Sequence, residues 1–213
     1  MRSLWSVSAI AVAFAVSGCM PTTPSAGPAP TSGAAGPSTS ADELPVGFGS
    51  LRQDDISLRV TRGTVLVQAT LLDEDVLRLT APDTYARLSR LRERAGGGGR
   101  AFLVSVQTEA PGGADFEPSE LRIESRGAIH RAEAIEALTP GWGASRLRQR
   151  TTEQAIYRFP PGVDPSIDMT LVFGASRSRS WADLIPVLDA ERARVRARGG
   201  TAQPSSPNFL ILR

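Results

Sequence analysis

Short segments in which apolar and polar residues alternate recur along this chain, and they restrict the folds that it can adopt. Ile56–Val60 alternates in this way, as a half-buried strand does. Arg62-Gly63 then marks a tight turn before the pattern resumes at Thr64–Leu71, so this region predicts a hairpin. Because short strands separated by turns are typical of an antiparallel sandwich, we expect a mainly β fold. Further strands are predicted at residues 76–79, 101–107, 121–125, 128–137, 155–159, 167–173 and 208–212.

A helix is predicted at residues 82–95, where the spacing of apolar side chains changes. Tyr85 and Leu88 begin a series of apolar residues at helical spacing, and Gly96–Gly99 ends it. We expect Thr80 to cap this helix, because threonine is a favoured cap residue and a proline follows in the first turn.

A second helix is predicted at residues 181–198. Ser180 and Asp183 form a capping-box-like pair at its start, and Trp181 shares an apolar face with the leucines that follow. Pro186 lacks an amide hydrogen, which predicts a kink or a fresh helix start at that position.

The first nineteen residues have the layout of an export signal. Arg2 provides a basic start, Val7–Val16 is an apolar run, and small residues precede Cys19. The run is too short to span a bilayer permanently, which takes roughly 20 apolar residues. Cys19 is the single cysteine of the chain, so no disulfide can form within it.

The tetrapeptide Val16-Ser17-Gly18-Cys19 resembles the lipobox of bacterial lipoproteins. The resemblance implies removal of residues 1–18 as a signal peptide, a diacylglycerol thioether on Cys19 and acylation of the new amine, for example with palmitate. It therefore implies a lipid-anchored protein on the exported side of a bacterial membrane. Met20 follows the cysteine where an aspartate would favour the inner membrane, which in a Gram-negative cell favours the outer membrane, at its periplasmic face or surface. An ordinary signal peptide with an incidental cysteine is the alternative.

The composition of residues 19–41 predicts a flexible tether, and the length of residues 42–213 predicts a single domain. The tether consists almost entirely of Pro, Ser, Thr, Gly and Ala, with neither charges nor aromatic residues. Such a segment cannot bury enough apolar surface to offset its ordering entropy. About 22 residues of this kind span roughly 25 Å, and a glycosylated stalk is the alternative use of the composition.

The positive charge of the chain lies in its C-terminal part. All 24 basic residues are arginine; residues 1–125 carry 11 of them with 14 acidic residues, whereas residues 126–213 carry 13 with 8. Like-charge pairs four residues apart mildly destabilise a helix, and an anion bound beside them would relieve the repulsion. We therefore expect the last helix to bind an acidic partner, headgroup or polysaccharide. A solvated arginine surface is the alternative. The like-charge pairs are Arg192/Arg196 and Arg194/Arg198.

The residues that catalysis usually requires are nearly absent. Gly96–Gly99 lacks the lysine and hydroxyl residue of a phosphate loop, and no Gly-x-Ser-x-Gly motif occurs. A single histidine, His130, leaves imidazole metal sites without further ligands. His130 as the general base of a hydrolase is the remaining enzymatic possibility. We therefore predict no enzyme, no catalytic residue, no metal and no cofactor.

Trp142 is the most suggestive aromatic residue. It lies between two glycines in Pro140–Gly143, and a tryptophan in such a loop can serve as a sugar platform or a protein contact. The alternative is that Trp142 packs over the end of the sandwich.

A second set of features lies within roughly residues 100–175. It consists of Phe102–Val106, Phe116-Glu117-Pro118 before Leu121–Ile123, Gly127 before His130, and Ala155–Pro160. This region resembles the telokin-like, immunoglobulin-type domain of many bacterial lipoproteins, which implies an immunoglobulin-like sandwich. The chain departs from antibody-type domains because it has no cysteine pair, and the resemblance implies a fold rather than an activity.

Together these features predict a lipid-anchored cell-envelope protein that acts as a non-enzymatic binding or assembly module. The expected partners are the membrane, through Cys19, and an envelope protein or glycan, with no nucleic acid. The alternatives are an envelope glycan or small-molecule binder that uses Trp142, and a hydrolase that uses His130.

Overall fold

The computed structural model describes residues 43–96 and 100–201, and strands dominate this part of the chain. The helices are α1 (Glu74–Leu77), α2 (Pro82–Ala95) and α3 (Ile185–Thr201), and short 3-10 turns lie at Gln53–Ile56, Pro118–Glu120 and Trp181–Asp183. The strands are β1 (Ser57–Arg62), β2 (Val65–Leu71), β3 (Arg100–Thr108), β4 (Ala114–Asp115), β5 (Leu121–Ser125), β6 (Ala128–Arg131), β7 (Ala134–Ala137), β8 (Arg146–Leu147), β9 (Thr152–Phe159), β10 (Met169–Phe173) and β11 (Ser176–Ser180).

These strands form two main antiparallel sheets. The five-stranded sheet has the order β1-β2-β3-β9-β7, the four-stranded sheet has the order β11-β10-β5-β6, and β4 pairs with β8. The chain changes sheet between β6 and β7, because β6 pairs with β5 whereas β7 pairs with β9. The predicted class, a mainly β, immunoglobulin-like antiparallel sandwich with one inserted and one C-terminal helix, is confirmed.

The core lies between the two sheets because each turns an apolar face inwards. Phe102 and Tyr157 are paired in register on β3 and β9 and are fully buried. Leu171 and Ile123 are paired in the same way on β10 and β5. Since strand side chains alternate between faces, every second residue of each of these strands lies on the outer face of its sheet.

Helix α2 covers part of the outer face of the five-stranded sheet. Leu103 and Ile156 lie on that face and are nevertheless buried, as is Leu88 of the helix. The predicted boundaries, residues 82–95, are confirmed. The predicted cap is wrong: Ala81 occupies the cap position, while the buried hydroxyl of Thr80 donates to the carbonyl of Leu77 at 2.6 Å.

Residues 76–79 were expected to form a strand, and this prediction is wrong. The side chain of Asp73 accepts a hydrogen bond from the Asp75 amide at 3.1 Å and thereby caps the short helix α1. The capping aspartate therefore starts a helix where the apolar run alone predicts a strand.

The C-terminal helix begins afresh at Ile185, as Pro186 predicts. The hydroxyl of Ser180 accepts from the Ala182 amide at 3.0 Å and caps the preceding 3-10 turn. Trp181 is buried, and its indole N–H donates to the Pro165 carbonyl at 2.8 Å.

Two further expectations need correction or fall outside the described part. Residues 128–137 were expected to form one extended segment, but they form β6 and β7 in different sheets. Strand β11 was not predicted, because its sequence of alternating serine and arginine has no apolar side. The predicted strand at residues 208–212, the signal at residues 1–18 and the tether at residues 19–41 lie outside the described residues.

The segment Glu43–Leu51, here called the N-terminal strap, is fastened to α3 by a buried carboxylate. Glu191 has no solvent exposure and accepts hydrogen bonds from the amide and hydroxyl of Ser50 at 2.9 and 2.7 Å. Arg194 and Arg198 each donate to the same carboxylate at 3.1 Å.

The charge of Glu191 is stabilised by these donors. Burial alone would raise the pKa of Glu191, but the hydrogen bonds from Ser50, Arg194 and Arg198 outweigh burial and hold the pKa below its ordinary value of 4.5. Because the pKa is lower in the folded state, this group contributes stability above its unfolded pKa, and the contribution is lost as pH falls through the folded pKa.

We expect Glu191→Gln to lower the free energy of unfolding by about 2 kcal/mol at neutral pH, because a buried carboxylate with four donors is replaced by an amide that also donates. Urea unfolding followed by circular dichroism measures this. The matched control is Asp189→Asn on the same helix, whose carboxylate is exposed and pairs with Arg192; its cost should stay below ~0.5 kcal/mol. The difference between wild type and Glu191→Gln should shrink as pH falls below 4.5, and a difference that is constant with pH would contradict this role.

Candidate functional site

The arginines of α3 find their acidic partners within the chain. Arg192 pairs with Asp189, and Arg194 and Arg198 share Glu191. Arg196 is also engaged. Two carboxylates of the same helix therefore offset part of the like-charge repulsion that the sequence predicts among its four arginines, and each of these arginines has a partner.

Trp142 is half-buried in an aromatic cluster at one end of the sandwich. Its ring packs edge-on against Phe116 and Tyr157, with ring centroids 5.5 and 5.8 Å apart, and its indole nitrogen is buried without a hydrogen-bond partner among the described residues. The loop is held by Thr139, whose hydroxyl donates to the buried carboxylate of Glu153. This geometry is that of a packed side chain rather than of an open sugar platform.

His130 lies on β6 and points to the inner side of the four-stranded sheet, in register with the buried Ile123. Its ring packs against Gly162, where an added Cβ would lie 2.8 Å from the imidazole Cε1. Nε2 is buried, and the ring makes no hydrogen bond to any described serine or carboxylate. The nucleophile–base contact that a hydrolase requires is therefore not formed within the described part of the chain.

A cleft of about 410 Å³ lies where α1, the start of β3 and α3 meet. Trp181 and Leu188 line its apolar side, and Arg100 and Arg192 line its polar side with several aspartates. Arg100 is already paired with Asp73 at 2.9 Å. Across residues 43–96 and 100–201, no group of three histidine, cysteine or acidic side chains is arranged to hold a metal ion.

Four residues in register form a row across the outer face of the four-stranded sheet. They are Arg131 on β6, Arg122 on β5, Val172 on β10 and Arg177 on β11. The adjacent Ile123 is fully buried, so alternation directs the row away from the core. We call these four residues the arginine row.

The arginine row is only partly neutralised. Arg122 and Arg131 lie directly opposite each other on paired strands, where like charges are destabilising. Arg122 is held in place by a hydrogen bond from Nη2 to the Gly174 carbonyl at 3.3 Å, and Arg177 pairs with Glu124. The exposed side chain of Arg131 has no ion-pair or hydrogen-bond partner in the part of the chain that the structure describes.

The outer face of the five-stranded sheet has a different character. Where α2 does not cover it, amide and hydroxyl side chains line a shallow depression of about 210 Å³. Gln68, Ser105 and Gln154 are in register across β2, β3 and β9, and the Gln154 amide donates to the Ser105 hydroxyl at 3.0 Å. We call this surface the amide face; it offers hydrogen bonds but no row of charges.

Sequence reasoning identified the arginines of α3 and missed those of the sheet. In the sequence, Arg122 and Arg131 look like ordinary outward-facing residues of two alternating strands. The sequence signal is that arginine occupies outward positions on both β5 and β6, on either side of the Arg126-Gly127 turn. This signal becomes informative only when the register of the hairpin is known.

Comparisons of this chain with family models, curated proteins and solved structures find no significant match. No helix of residues 43–96 and 100–201 is both long and apolar enough to cross a membrane.

We expect Trp142→Ala to lower the free energy of unfolding by about 2 kcal/mol, because it removes two edge-on aromatic contacts from a half-buried position. Chemical unfolding measures the loss, and Trp142→Phe, which keeps a ring, should lose less. Binding of envelope polysaccharides is measured in parallel. Unchanged stability together with a loss of polysaccharide binding would show instead that Trp142 is a sugar platform.

Proposed function

We propose that this protein is a lipid-anchored, non-enzymatic binding module of the bacterial cell envelope. The observation that carries the proposal is the tetrapeptide Val16–Cys19, followed by a segment without charges or aromatic residues. Cys19 would carry the lipid, and residues 19–41 would join it to the sandwich. Two or three acyl chains provide a stable anchor, because each buried methylene contributes about 0.8 kcal/mol.

The start of the folded body supports this arrangement. Leu44 is buried, and Arg78 donates to its carbonyl while also pairing with Glu43. The strap then continues to Ser50 and the buried carboxylate of Glu191. The segment that follows the proposed tether is thus attached to the domain at several points. Such attachment suits a domain that is held to a membrane through its N-terminal side.

A binding role fits the surfaces better than an enzymatic one. His130 has no catalytic partner among the described residues, whereas the arginine row and the amide face are accessible polar surfaces of distinct chemistry. Met20 after the cysteine favours the outer membrane over the inner one.

We expect the wild-type protein, produced in a Gram-negative host, to begin at Cys19 and to carry the mass of a diacylglycerol and a fatty acyl group. Intact-mass spectrometry of the detergent-extracted protein measures this, and membrane fractionation by density shows which membrane holds it. Cys19→Ala should lose the added mass and the membrane association. A matched substitution of the small residue beside it, Gly18→Ala, keeps the thiol and should retain both. A wild-type protein with a free Cys19 thiol would refute the proposal.

The second candidate function is binding of a small polar molecule in the cleft beside α3. Its volume of about 410 Å³ lies within the range of ligand sites, roughly 300–1,000 Å³, and it combines Arg100, Arg192 and aspartates with an apolar wall. We expect a matching ligand, such as an amino sugar or amino acid, to raise the melting temperature by about 5 °C at saturating concentration. Arg192→Gln should abolish the shift and Arg90→Gln, on α2, should preserve it; no shift with any such compound would dismiss this candidate.

A further inference from the structure

We propose that the arginine row is a docking surface for the anionic phospholipid headgroups of the membrane that anchors the protein. This inference rests on the proposed lipid anchor, because it concerns the orientation of a domain that is already held near a bilayer. It assigns binding to the sheet residues Arg122, Arg131 and Arg177 and not to the arginines of α3.

The first argument is the charge that the row leaves unmatched. Arg122 and Arg131 repel each other across β5 and β6, and the nearest carboxylate in the same face, Glu124, is engaged by Arg177. Arg179, further along β11, is also exposed, and its side chain has no ion-pair or hydrogen-bond partner among the described residues. No described carboxylate pairs with Arg122 or Arg131, and an external layer of anions would offset the repulsion between them.

The second argument is the shape of the surface. Neighbouring strands lie about 4.8 Å apart, so the backbone positions of the row span roughly 14 Å across a sheet face and do not line a pocket. Arg122 is half-buried within the row, with a buried Nε, whereas Arg131 and Arg177 are exposed. A broad positive face of this kind fits a plane of phosphates better than a single small anion. Ile129 lies on the same face, two residues before Arg131 and in register with Glu124, and is 54% exposed. An exposed apolar side chain next to arginines that are ion-paired or, among the described residues, free suits the boundary between headgroups and acyl chains.

The third argument is the length of the chain between Cys19 and the first described residue, Glu43. Fully extended, these residues reach at most about 80 Å, which exceeds the diameter of a domain of this size, roughly 30–40 Å. The connection is typically about 25 Å long but can extend far enough for any face to reach the membrane, and surface chemistry selects the one that binds. Tethering also raises the local concentration to about the millimolar range, so a few arginines suffice.

The two other surfaces described above are less suited to this role. Every arginine of α3 already has a partner, whereas the Arg131 side chain has none among the described residues. The amide face offers no cationic row, so of these three surfaces the arginine row is the best matched to a layer of phosphates.

The test uses the full-length lipidated protein in vesicles. Because Cys19 is the only cysteine and its sulfur is blocked by lipid, an added cysteine can be labelled selectively with an environment-sensitive fluorophore. Ile129→Cys reports on the arginine row, and Thr152→Cys reports on the amide face. We expect the emission at position 129 to shift to shorter wavelength in vesicles that contain phosphatidylglycerol and not in pure phosphatidylcholine. The shift should disappear in high salt, and position 152 should show none.

Charge-matched variants separate the row from net charge. Arg131→Gln should lower the ratio of docked to undocked protein about fivefold, the value of one arginine near an anionic surface. Arg90→Gln removes the same charge from α2, where Arg90 donates to a backbone carbonyl, and should leave docking unchanged. Equal loss in both variants, an equal shift in phosphatidylcholine, or no shift in either vesicle would overturn the inference. So would an identical shift with inorganic phosphate alone, which would mean that the row binds soluble anions.

Failure of the anchor and failure of docking are distinguishable in this experiment. A protein without lipid would label at Cys19 and would not remain with the vesicles, and intact mass would show this directly. A protein that is lipidated and vesicle-bound, but whose probe at position 129 does not respond to phosphatidylglycerol, would leave the proposed function in place and refute the docking surface.

Discussion

The rest of the structure depends on the burial of both faces of the paired strands β3 and β9. Phe102 and Tyr157 fill the space between the sheets, and Leu103 and Ile156 are buried on the other side under α2. Helix α2 covers only part of that face, and the uncovered part, two residues further along the same strands, carries Ser105 and Gln154 and forms the amide face. No helix of residues 43–96 and 100–201 covers the outer face of the four-stranded sheet in this way, so its outward positions carry charge, and the arginine row follows from that arrangement.

The sequence predicts the elements whose signals are local. The bounds of α2 are correct because a proline begins it and glycines end it, and the fresh start of α3 at Ile185 follows from Pro186. Helix α1 was missed because a short apolar run after Asp73 reads equally well as a strand. Strand β11 was missed because Ser176–Ser180 has no apolar side, and only pairing with β10 identifies it.

The candidate sites show the same division between local and tertiary information. The prediction of repulsion between arginines on α3 follows a correct local rule, but it leaves out the buried carboxylate of Glu191. Glu191 is hydrogen-bonded by Ser50, which lies far from it in the sequence. The arginine row depends on the register of four strands, and residue spacing along the sequence does not determine that register. Trp142 lies between glycines and suggests exposure, yet Phe116 and Tyr157 come from distant parts of the chain to cover it.

The contact between the strap and α3 also brings the two ends of the described body together. Gly199, near the end of α3, approaches Pro45 so closely that an added Cβ would lie 2.5 Å from its ring. The described part of the chain therefore begins and ends at one place on the sandwich. A protein fused directly after Thr201 would begin next to the strap.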